Sequence, residues 1–419
     1  PLEGRVVDDE YPLGHTSYPR LTDISARIAR RDSGRARPVR PRLAGDAAAA
    51  GIPCIFEKAY NEHGNKVKVY PAIRSRMETR KVQRLGPSTL AMTLPAEWAQ
   101  EHGVNKGDEV SLRMGGKGTL TVLPESVSTE ESEAVINADG LDARSLERAI
   151  VAQYVLGRRV IHVQSEGTLD SEHINAVYKA ETQLMGLGVI EETPEDISIR
   201  CSVDPEDFTL DNLLERLENT GSTMRGEAVK ALAHGNPDLA QRALNRERQA
   251  NKIFVLLLRL IFTAYQNPNL ARAVGLEEGF PLIGYRSVAK NLELTADNAE
   301  DIAEIVMEAD GHTLNVDSAT MRQIREFTDQ VDDLTALAVR AVVERDYDLT
   351  VECRDLFSRL EDREQEILDE LPNDLDNETL LMTREVLVSL QHTAEYAMRN
   401  AEIAANLALN EESEHVEII

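Results

Sequence analysis

The chain has few cysteines, few aromatic residues and no long apolar run. Of its 419 residues, three are cysteines and 4% are aromatic. Cys54, Cys201 and Cys353 are far apart and odd in number, so they form neither a zinc-binding spacing nor a disulfide framework. The longest apolar run, IFVLLLRLIF at residues 253–262, is too short to span a membrane and contains Arg259. With no secretory signal pattern either, these features predict a reduced, cytoplasmic protein that is not embedded in a membrane.

Basic residues are scarce relative to acidic ones. The chain has 46 Lys and Arg against 73 Asp and Glu, for a net charge of -27. Such a protein is not expected to coat nucleic acid broadly, because phosphate contacts need Lys and Arg. Self-repulsion at this charge is tolerated best where salt screens it, which indicates a high-salt, halophilic cytoplasm.

The common signatures of catalysis are missing as well. GGKGT at residues 115–119 lacks the spacing of a phosphate-binding loop, no GxSxG occurs, and the histidines are scattered without metal-ligand pairs. We therefore expect no catalytic residues, and a protein that is not an enzyme.

Residues 1–76 differ from the rest of the chain. They contain 14 Lys or Arg against 9 Asp or Glu, show no sustained periodicity and include RRDSGRARPVRPR at residues 30–42. One interpretation is a basic arm that contacts nucleic acid. The interpretation we favour is a non-native or disordered extension translated from a misplaced start, with Met77 as the true first residue.

The sequence of residues 77–125 predicts short strands around a helix. RKVQRLG (residues 80–86) and LAMTLP (residues 90–95) are strand candidates, AEWAQEHG (residues 96–103) is a short helix, and a hairpin follows. So small a segment cannot bury much of a core alone, so dimerisation is expected. Residues 126–205 predict an α/β connector, with a strand at 158–165, a helix at 171–186 and two further strands.

The remainder is almost entirely helical and contains a repeat. Three amphipathic helices recur in two copies, which predicts two tandem three-helix bundles at residues 206–312 and 313–419. The first two helices of each copy meet at HGNPD and at ERDYD, and a longer loop, GLEEGFPLIGY, follows in the first copy. The expected fold is therefore multidomain and mainly α. Its predicted helical runs are 208–234, 238–265, 287–309, 318–344, 348–371 and 377–409.

The segment 77–125 resembles the AbrB/SpoVT family of small DNA-binding domains. The resemblance lies in STL-x-x-TLP-x-x-W at residues 88–98, followed by KGDEV at residues 106–110. It implies two chains that interleave their strands into one swapped-hairpin β barrel, with the first strand and the following loop on DNA. The positions implied here are Arg80, Lys81, Arg84, Ser88 and Thr89. Alternatively these cations are solvated or paired with carboxylates, since some relatives use the barrel only to dimerise or to bind a protein.

LELTADNAEDIAE, at residues 292–304, is similar to the third-helix motif of PhoU, the phosphate-uptake regulator family of two tandem three-helix bundles. In that motif Glu-x-x-x-Asp supplies metal ligands, which implies Glu293 and Asp297 here. The facing second helix of the family adds an acidic pair, whose place is taken by Glu247 and Asn251. Oxygen ligands suit a divalent or ferric ion such as iron, manganese or magnesium better than zinc.

The opposing interpretation is an ordinary solvated or salt-bridged acidic surface. Chance alone supplies about 12 acidic pairs at i,i+4 spacing in a chain of this composition. In the second copy Gln391 and Glu395 stand where Glu and Asp are expected, with Glu361 and Gln365 on the second helix. The first bundle is therefore the better metal candidate, and the second is expected to be structural.

The order of these domains is similar to a class of archaeal phosphate regulators. It implies a regulator of phosphate uptake, dimeric through its barrel, that binds DNA and docks a phosphate transporter, a sensor kinase or another regulator through its bundles. Two alternatives stay open: a transcription factor that responds to another ligand or metal, and an adaptor that does not bind DNA. A carboxylate-bridged metalloenzyme would need His or more carboxylates on facing helices.

Overall fold

The computed structural model describes residues 79–114, 119–124, 132–276, 279–308, 316–410 and 415–417. The chain divides into two units, residues 1–93 and 94–419. In the described part of the first unit, β1 (Gln83–Arg84) and β2 (Leu90–Ala91) form a two-stranded antiparallel pair. These strands are shorter than the predicted stretches 80–86 and 90–95. The predicted extension, residues 1–76, lies outside the described residues.

The second unit begins with a short helix and a hairpin. Helix α1 (Ala96–Glu101) follows Pro95, and β3 (Val110–Met114) pairs antiparallel with β4 (Leu120–Pro124). In the described part of one chain the four strands β1 to β4 form two separate two-stranded sheets. The swapped-hairpin barrel, which needs two chains, therefore stays a prediction.

A four-stranded sheet with two helices forms the α/β connector. The sheet has the order β5-β6-β8-β7, with β5 and β6 parallel and the other pairs antiparallel. Its elements are β5 (Glu133–Asn137), α2 (Ala143–Val155), β6 (Val160–Gln164), α3 (Ser171–Gln183), β7 (Leu187–Glu192) and β8 (Asp196–Cys201).

The sequence analysis missed two elements of the connector, β5 and α2. Helix α2 carries a usable signal, because Leu146, Ile150 and Tyr154 recur at helical spacing and are buried, and because the Asp142 side chain caps the helix by accepting a hydrogen bond from Ser145 N. Strand β5 is only five residues long, and so short a segment is ambiguous from its sequence alone.

Six long helices form two three-helix bundles, which confirms the predicted mainly helical architecture. The structure differs from the expectation at the end of the first bundle, where the third helix begins at Phe280 rather than near Ser287, because Pro281 is tolerated in a first helical turn. A short helix, α6 (Pro268–Ala273), precedes it. The long helices are α4 (Leu210–His234), α5 (Pro237–Gln266), α7 (Phe280–Glu308), α8 (Ser318–Glu344), α9 (Tyr347–Asp369) and α10 (Asn377–Ala408).

The repeat extends to the turn between the first two helices of each bundle. Gly235 ends α4 and Arg345 ends α8, and both have left-handed backbones, with φ of 55° and 52°. The next residues, Asn236 and Asp346, each accept hydrogen bonds from two backbone N–H groups at the start of the following helix. Among the described non-glycine residues Arg345 alone has a positive φ, which costs free energy that glycine would not.

The two bundles pack against each other through α4 with α8 and through α7 with α10. In the first contact Arg225, only 1% exposed, donates to Asp332 Oδ1 at 2.7 Å and to Thr335 Oγ1 at 3.2 Å. In the second, α7 and α10 run antiparallel, and buried amides cross between them: Asn291 bonds Asn400 at 2.8 Å and Asn298 bonds Thr393 at 3.1 Å. Ionic and polar contacts therefore set the register between the bundles, since buried polar groups need partners.

An approximate two-fold axis relates the bundles. Ser222 hydrogen-bonds Asp332. Ser222 is as far before Gly235 in the sequence as Asp332 is before Arg345, so these two residues occupy equivalent positions in α4 and α8. Equivalent positions of α4 and α8 therefore meet each other. This is the arrangement of a symmetric dimer, formed here within one chain.

The apolar run at residues 253–262 lies within α5 and joins the first bundle to the connector. Arg259 in this run is 5% exposed, and its guanidinium donates to three carbonyls at the end of α2, those of Tyr154, Gly157 and Arg158. The guanidinium also lies 4.8 Å from the centre of the Tyr154 ring. Cations at a helix C-terminus are stabilised by the helix dipole. No helix in the described ranges is long and apolar enough to cross a membrane.

We expect Arg259→Met to lower the free energy of unfolding by about 3 kcal/mol, because it leaves buried carbonyls without donors while it keeps most of the apolar stem. The measurement is urea denaturation followed by circular dichroism. Arg248→Met, at an exposed position of the same helix, is the matched control and should change the free energy by less than about 0.5 kcal/mol. Equal effects of the two substitutions would contradict this role of Arg259.

Candidate functional site

One stripe of α7 is acidic and largely buried. Glu293, Asp297, Glu300 and Glu304 follow one another at spacings of four, three and four residues, which places them on the same side of the helix. Helix α7 packs against α4, α5 and α10, so Glu293 is only 7% exposed and Glu300 9%. Glu247 of α5 is also 9% exposed. These buried carboxylates are unusual, because charged side chains are almost never fully buried unless they are paired.

Burial and mutual repulsion change the protonation of this stripe. Burial, then the charges of Glu293 and Glu247, raise the pKa of Asp297 to about 7. Burial, then Glu247 and Glu304, raise the pKa of Glu300 to about 8. The structure therefore brings Glu247, Glu293 and Asp297 into one electrostatically coupled region, together with Glu300, which the sequence analysis did not single out.

A lysine partly balances these charges. Lys290 Nζ makes an ion pair with Glu293, one turn away on α7, and lies 5.6 Å from the centre of the Phe254 ring on α5. Lys290 also lowers the pKa of Asp297, although burial and the carboxylates outweigh this effect. Lys290 therefore offsets part of the effect of burial on these carboxylates.

The donor set has the chemistry that hard cations prefer, since its donors are carboxylate oxygens with the amide of Asn251 on the same helix as Glu247. The geometry is less complete. In the residues that the structure describes, no three His, Cys, Asp or Glu side chains are gathered closely enough to hold a metal ion. A metal at Glu247, Glu293 and Asp297 therefore stays a prediction, and it would require these side chains to converge.

The corresponding region of the second bundle contains another pair of neighbouring carboxylates. Glu395 lies near Glu364 of α9, and burial and Glu395 raise the pKa of Glu364. Gln365, which the family motif places opposite this region, is exposed and donates to Asp369 at 2.9 Å. The structural role predicted for this second copy stays a prediction. The Oε1 atom of Gln391 is buried with no hydrogen-bond partner.

Two residues of the α7 site were missed although the sequence carries a signal for both. Glu300 continues the i, i+4, i+7 stripe of Glu293 and Asp297, and Lys290 precedes Glu293 by three residues. The resemblance to the PhoU motif identified only the pair Glu293 and Asp297. Extending the helical stripe in both directions would have identified both.

The five predicted DNA-contact residues lie in the first unit and are all exposed. Arg80 and Lys81 precede β1, Arg84 ends it, and Ser88 and Thr89 lie in the turn before β2. Arg84 Nη1 donates to the carbonyl of Pro87 at 2.8 Å within this turn. The structure therefore brings these positions together around a single two-stranded ribbon.

Apolar side chains are exposed in each unit of the single chain. In the first unit Val82 is 62% exposed, Leu85 72% and Leu90 63%. In the second unit Met114, on β3, is 88% exposed. Exposed apolar patches mark interaction surfaces in soluble proteins. These segments therefore have the composition expected of an interface with another chain.

Stability should fall as pH rises from about 4 to about 8 in protein kept free of metal by a chelator. Unfolded Asp and Glu ionise near pH 4, whereas Asp297 and Glu300 keep their protons to about pH 7 and pH 8 in the folded state. The folded state thus binds more protons in this window, and each carboxyl contributes a slope of up to about 1.4 kcal/mol per pH unit. The measurement is the free energy of unfolding against pH.

Asp297→Asn combined with Glu300→Gln should flatten this dependence and raise stability at pH 8. Glu308→Gln, at an exposed position of the same helix, is the control and should leave the profile unchanged. A double variant with the same pH dependence as the wild type would show that these two carboxyls do not have raised pKa values.

Comparison with known proteins agrees with this geometry. Residues 214–306 match the model of the PhoU domain, and residues 83–130 match that of antidote-toxin recognition MazE, a bacterial antitoxin. The first match spans α4, α5 and most of α7, including Glu247, Glu293 and Asp297. The second begins within β1, so it includes Arg84 and excludes Arg80 and Lys81. No curated protein matches the chain.

Two solved structures are similar to the chain at low identity. PhoU from Pseudomonas aeruginosa is 18% identical with a TM-score of 0.41, over 47% of this chain and 94% of that one. The phosphate transport system regulatory protein PhoU from Streptococcus pneumoniae is 15% identical with a TM-score of 0.41, over 48% and 94%. The chain therefore contains one segment similar to the PhoU domain and one similar to the MazE antitoxin, a MazE/AbrB-like segment.

Proposed function

We propose that the protein is a cytoplasmic, non-enzymatic regulator of phosphate uptake that links a DNA-contacting dimer to helical bundles that dock another protein. The observation that carries this proposal is the PhoU match at residues 214–306, which coincides with a complete three-helix bundle and its buried acidic stripe. The second bundle repeats the helix order and the capping geometry of the first. The docking partner in this proposal is a phosphate transporter or a sensor protein.

Contact with DNA is supported by the first unit. Arg80, Lys81 and Arg84 place three cations within five positions of an otherwise acidic chain, and all three are exposed. Phosphate contacts of this kind position a protein on DNA, and a dimer would present two such ribbons to two half-sites. The exposed apolar side chains of Val82, Leu85 and Leu90 support burial against a second copy.

We expect chromatin immunoprecipitation to recover specific DNA with the wild-type protein, and recovery to change with phosphate supply. A variant with Arg80→Gln, Lys81→Gln and Arg84→Gln should lose this DNA, because the counterion-release contribution to affinity disappears with the cations. Lys106→Gln, at another exposed cation of the MazE/AbrB-like segment, is the control and should keep it.

Recovery that does not depend on phosphate would contradict the phosphate assignment and favour a transcription factor for another ligand. Unchanged recovery with the triple variant would contradict DNA contact through these residues. The remaining candidate would then be an adaptor that uses its exposed apolar residues to bind a protein, which the toxin-recognition description of the matched MazE model also favours.

The bundle site supports a second part of the proposal, a divalent or ferric ion of iron, manganese or magnesium held by Glu247, Glu293 and Asp297. A cation there would replace the protons that Asp297 and Glu300 retain near neutral pH. It would also offset the desolvation of these buried carboxylates.

Elemental analysis of protein purified without chelator should find about one such ion per chain. Glu293→Gln with Asp297→Asn should reduce the metal content at least tenfold, because two of three anionic ligands are lost. Glu308→Gln serves again as the exposed control. A wild-type protein without metal, or a double variant with full metal content, would exclude this site.

A further inference from the structure

Helix α7 packs against α4, α5 and α10, and only one side of it reaches the surface. Ile283, Lys290, Asp297 and Glu304 follow this side at intervals of seven residues, and all four are exposed or partly exposed. This side of α7 is therefore the part of the helix that another molecule can contact.

Helix α5 lies beside this side of α7 in an antiparallel register. Lys290 lies 5.6 Å from the centre of the Phe254 ring. Glu247, seven residues before Phe254, lies close enough to Asp297, seven residues after Lys290, for their charges to interact. The same register continues towards the end of α5 and places Tyr265 level with the start of α7. The outer sides of the two helices therefore form one continuous surface, the α5–α7 face.

One end of the α5–α7 face is apolar. Tyr265 is 72% exposed, Ile283 63% and Phe280 40%. Leu258 and Phe262 precede Tyr265 by seven and three residues, which places them on the same side of α5, and both are partly exposed. Single exposed apolar residues are ordinary, but a patch from two neighbouring helices indicates an interaction surface.

The other end of the α5–α7 face is acidic. Residues 291–308 of α7 contain six Asp or Glu and no Lys or Arg. Asp301, Glu304 and Glu308 among them are exposed. Lys290 lies between this acidic end and the apolar end. The α7 part of the face therefore changes from apolar to negatively charged along its length.

The basic residues of α5 lie on other sides of that helix. Arg248 and Lys252 precede Arg259 by eleven and seven residues, so they continue its stripe, and Arg259 faces the connector. Arg242 and Arg246 donate to a carboxylate of α4. The acidic end of the face is therefore not lined by these cations.

We propose that the α5–α7 face docks an amphipathic helical segment of a partner protein, with large apolar side chains at one end and Lys or Arg at the other. The apolar end would pack on Tyr265, Phe280 and Ile283, and the cations would lie along Asp301 and Glu304. A helix of about 20 residues spans the roughly 30 Å from Ile283 to Glu304. This inference rests on the docking role proposed for the bundles, and it gives that role a surface and a partner chemistry.

The change from apolar to acidic favours this partner over two other occupants. A second copy of the chain would bring the same acidic end, so it would complement only the apolar half of the face. A membrane of anionic lipids would repel the acidic half. A segment that is apolar at one end and basic at the other complements both halves.

The test is fluorescence anisotropy of the full chain with a labelled helical peptide of about 20 residues. The peptide has Leu and Phe on one face of its first half and Lys on the same face of its second half. A peptide with the two halves exchanged is measured as well, because a segment can lie along the face in either direction. We expect one of the two to bind saturably, and at least about tenfold more weakly when Glu replaces Lys. Equal binding of the Lys and Glu peptides would overturn the proposal.

The apolar end is tested by Tyr265→Ser combined with Ile283→Ser. This variant should weaken binding of the Lys peptide at least about tenfold, because apolar anchors carry much of the free energy of such interfaces. Leu381→Ser, at a position of α10 that is 61% exposed, is the control and should leave the Kd unchanged. Analytical ultracentrifugation should give the double variant the mass of the wild type. A lower mass would show that a second copy covers the face and would overturn the proposal.

The acidic end is tested by Asp301→Asn, Glu304→Gln and Glu308→Gln together. This variant should weaken binding at least about fivefold and reduce its dependence on salt. The matched control removes three exposed carboxylates from α9, and so changes the net charge equally: Glu352→Gln, Asp355→Asn and Asp362→Asn. Equal effects of the two triple variants would show attraction to the net charge alone and would overturn the proposal.

The peptide measurements use purified chain without phosphate or DNA, so they fail separately from the proposed regulatory role. The absence of saturable binding would overturn the docking face, and phosphate-dependent recovery of DNA would still be expected. Recovery of DNA that does not depend on phosphate would contradict the phosphate assignment, and peptide binding would still be expected.

Discussion

The ion pair between Arg225 and Asp332 determines how the two bundles sit together. Arg225 is almost completely buried on α4, and a guanidinium in that position needs a carboxylate from the facing helix. A shift of one turn would move Asp332 away and leave the buried guanidinium without this carboxylate. The amide contacts between α7 and α10 lie in the same interface between the bundles.

The buried stripe on α7 behaves differently, because burial and neighbouring carboxylates raise the pKa of Asp297 to about 7 and that of Glu300 to about 8. The charge of the first bundle therefore changes with pH near neutrality, whereas Arg225 has a carboxylate partner within the chain. The second bundle keeps only a weaker version of the stripe, with Glu364 near Glu395, so the two bundles differ in charge while sharing one fold.

The local sequence pattern was sufficient to predict the long helices and their repeat, since each has an apolar face at helical spacing. The same pattern located the equivalent turns of the two bundles. Gly235 and Arg345 occupy equivalent positions in these turns, although a left-handed backbone is expected of glycine only. The position of Arg259 could not be predicted in the same way. Its partners are backbone carbonyls of a distant helix, which have no side-chain signature. Lys290 and Glu364 were missed because a motif was used without the rest of its helical stripe.

The two-fold packing within one chain has a consequence for how this interface could have changed over time. In a true homodimer, equivalent positions must carry the same residue, so an arginine and its aspartate would each appear twice. Here Thr335 occupies the position equivalent to Arg225, and Ser222 the position equivalent to Asp332, so a single salt bridge is buried instead of two. Because the two copies are covalently linked, one half can carry the donor of this pair and the other half its acceptor. If the halves were expressed separately, they would be complementary to each other rather than to themselves.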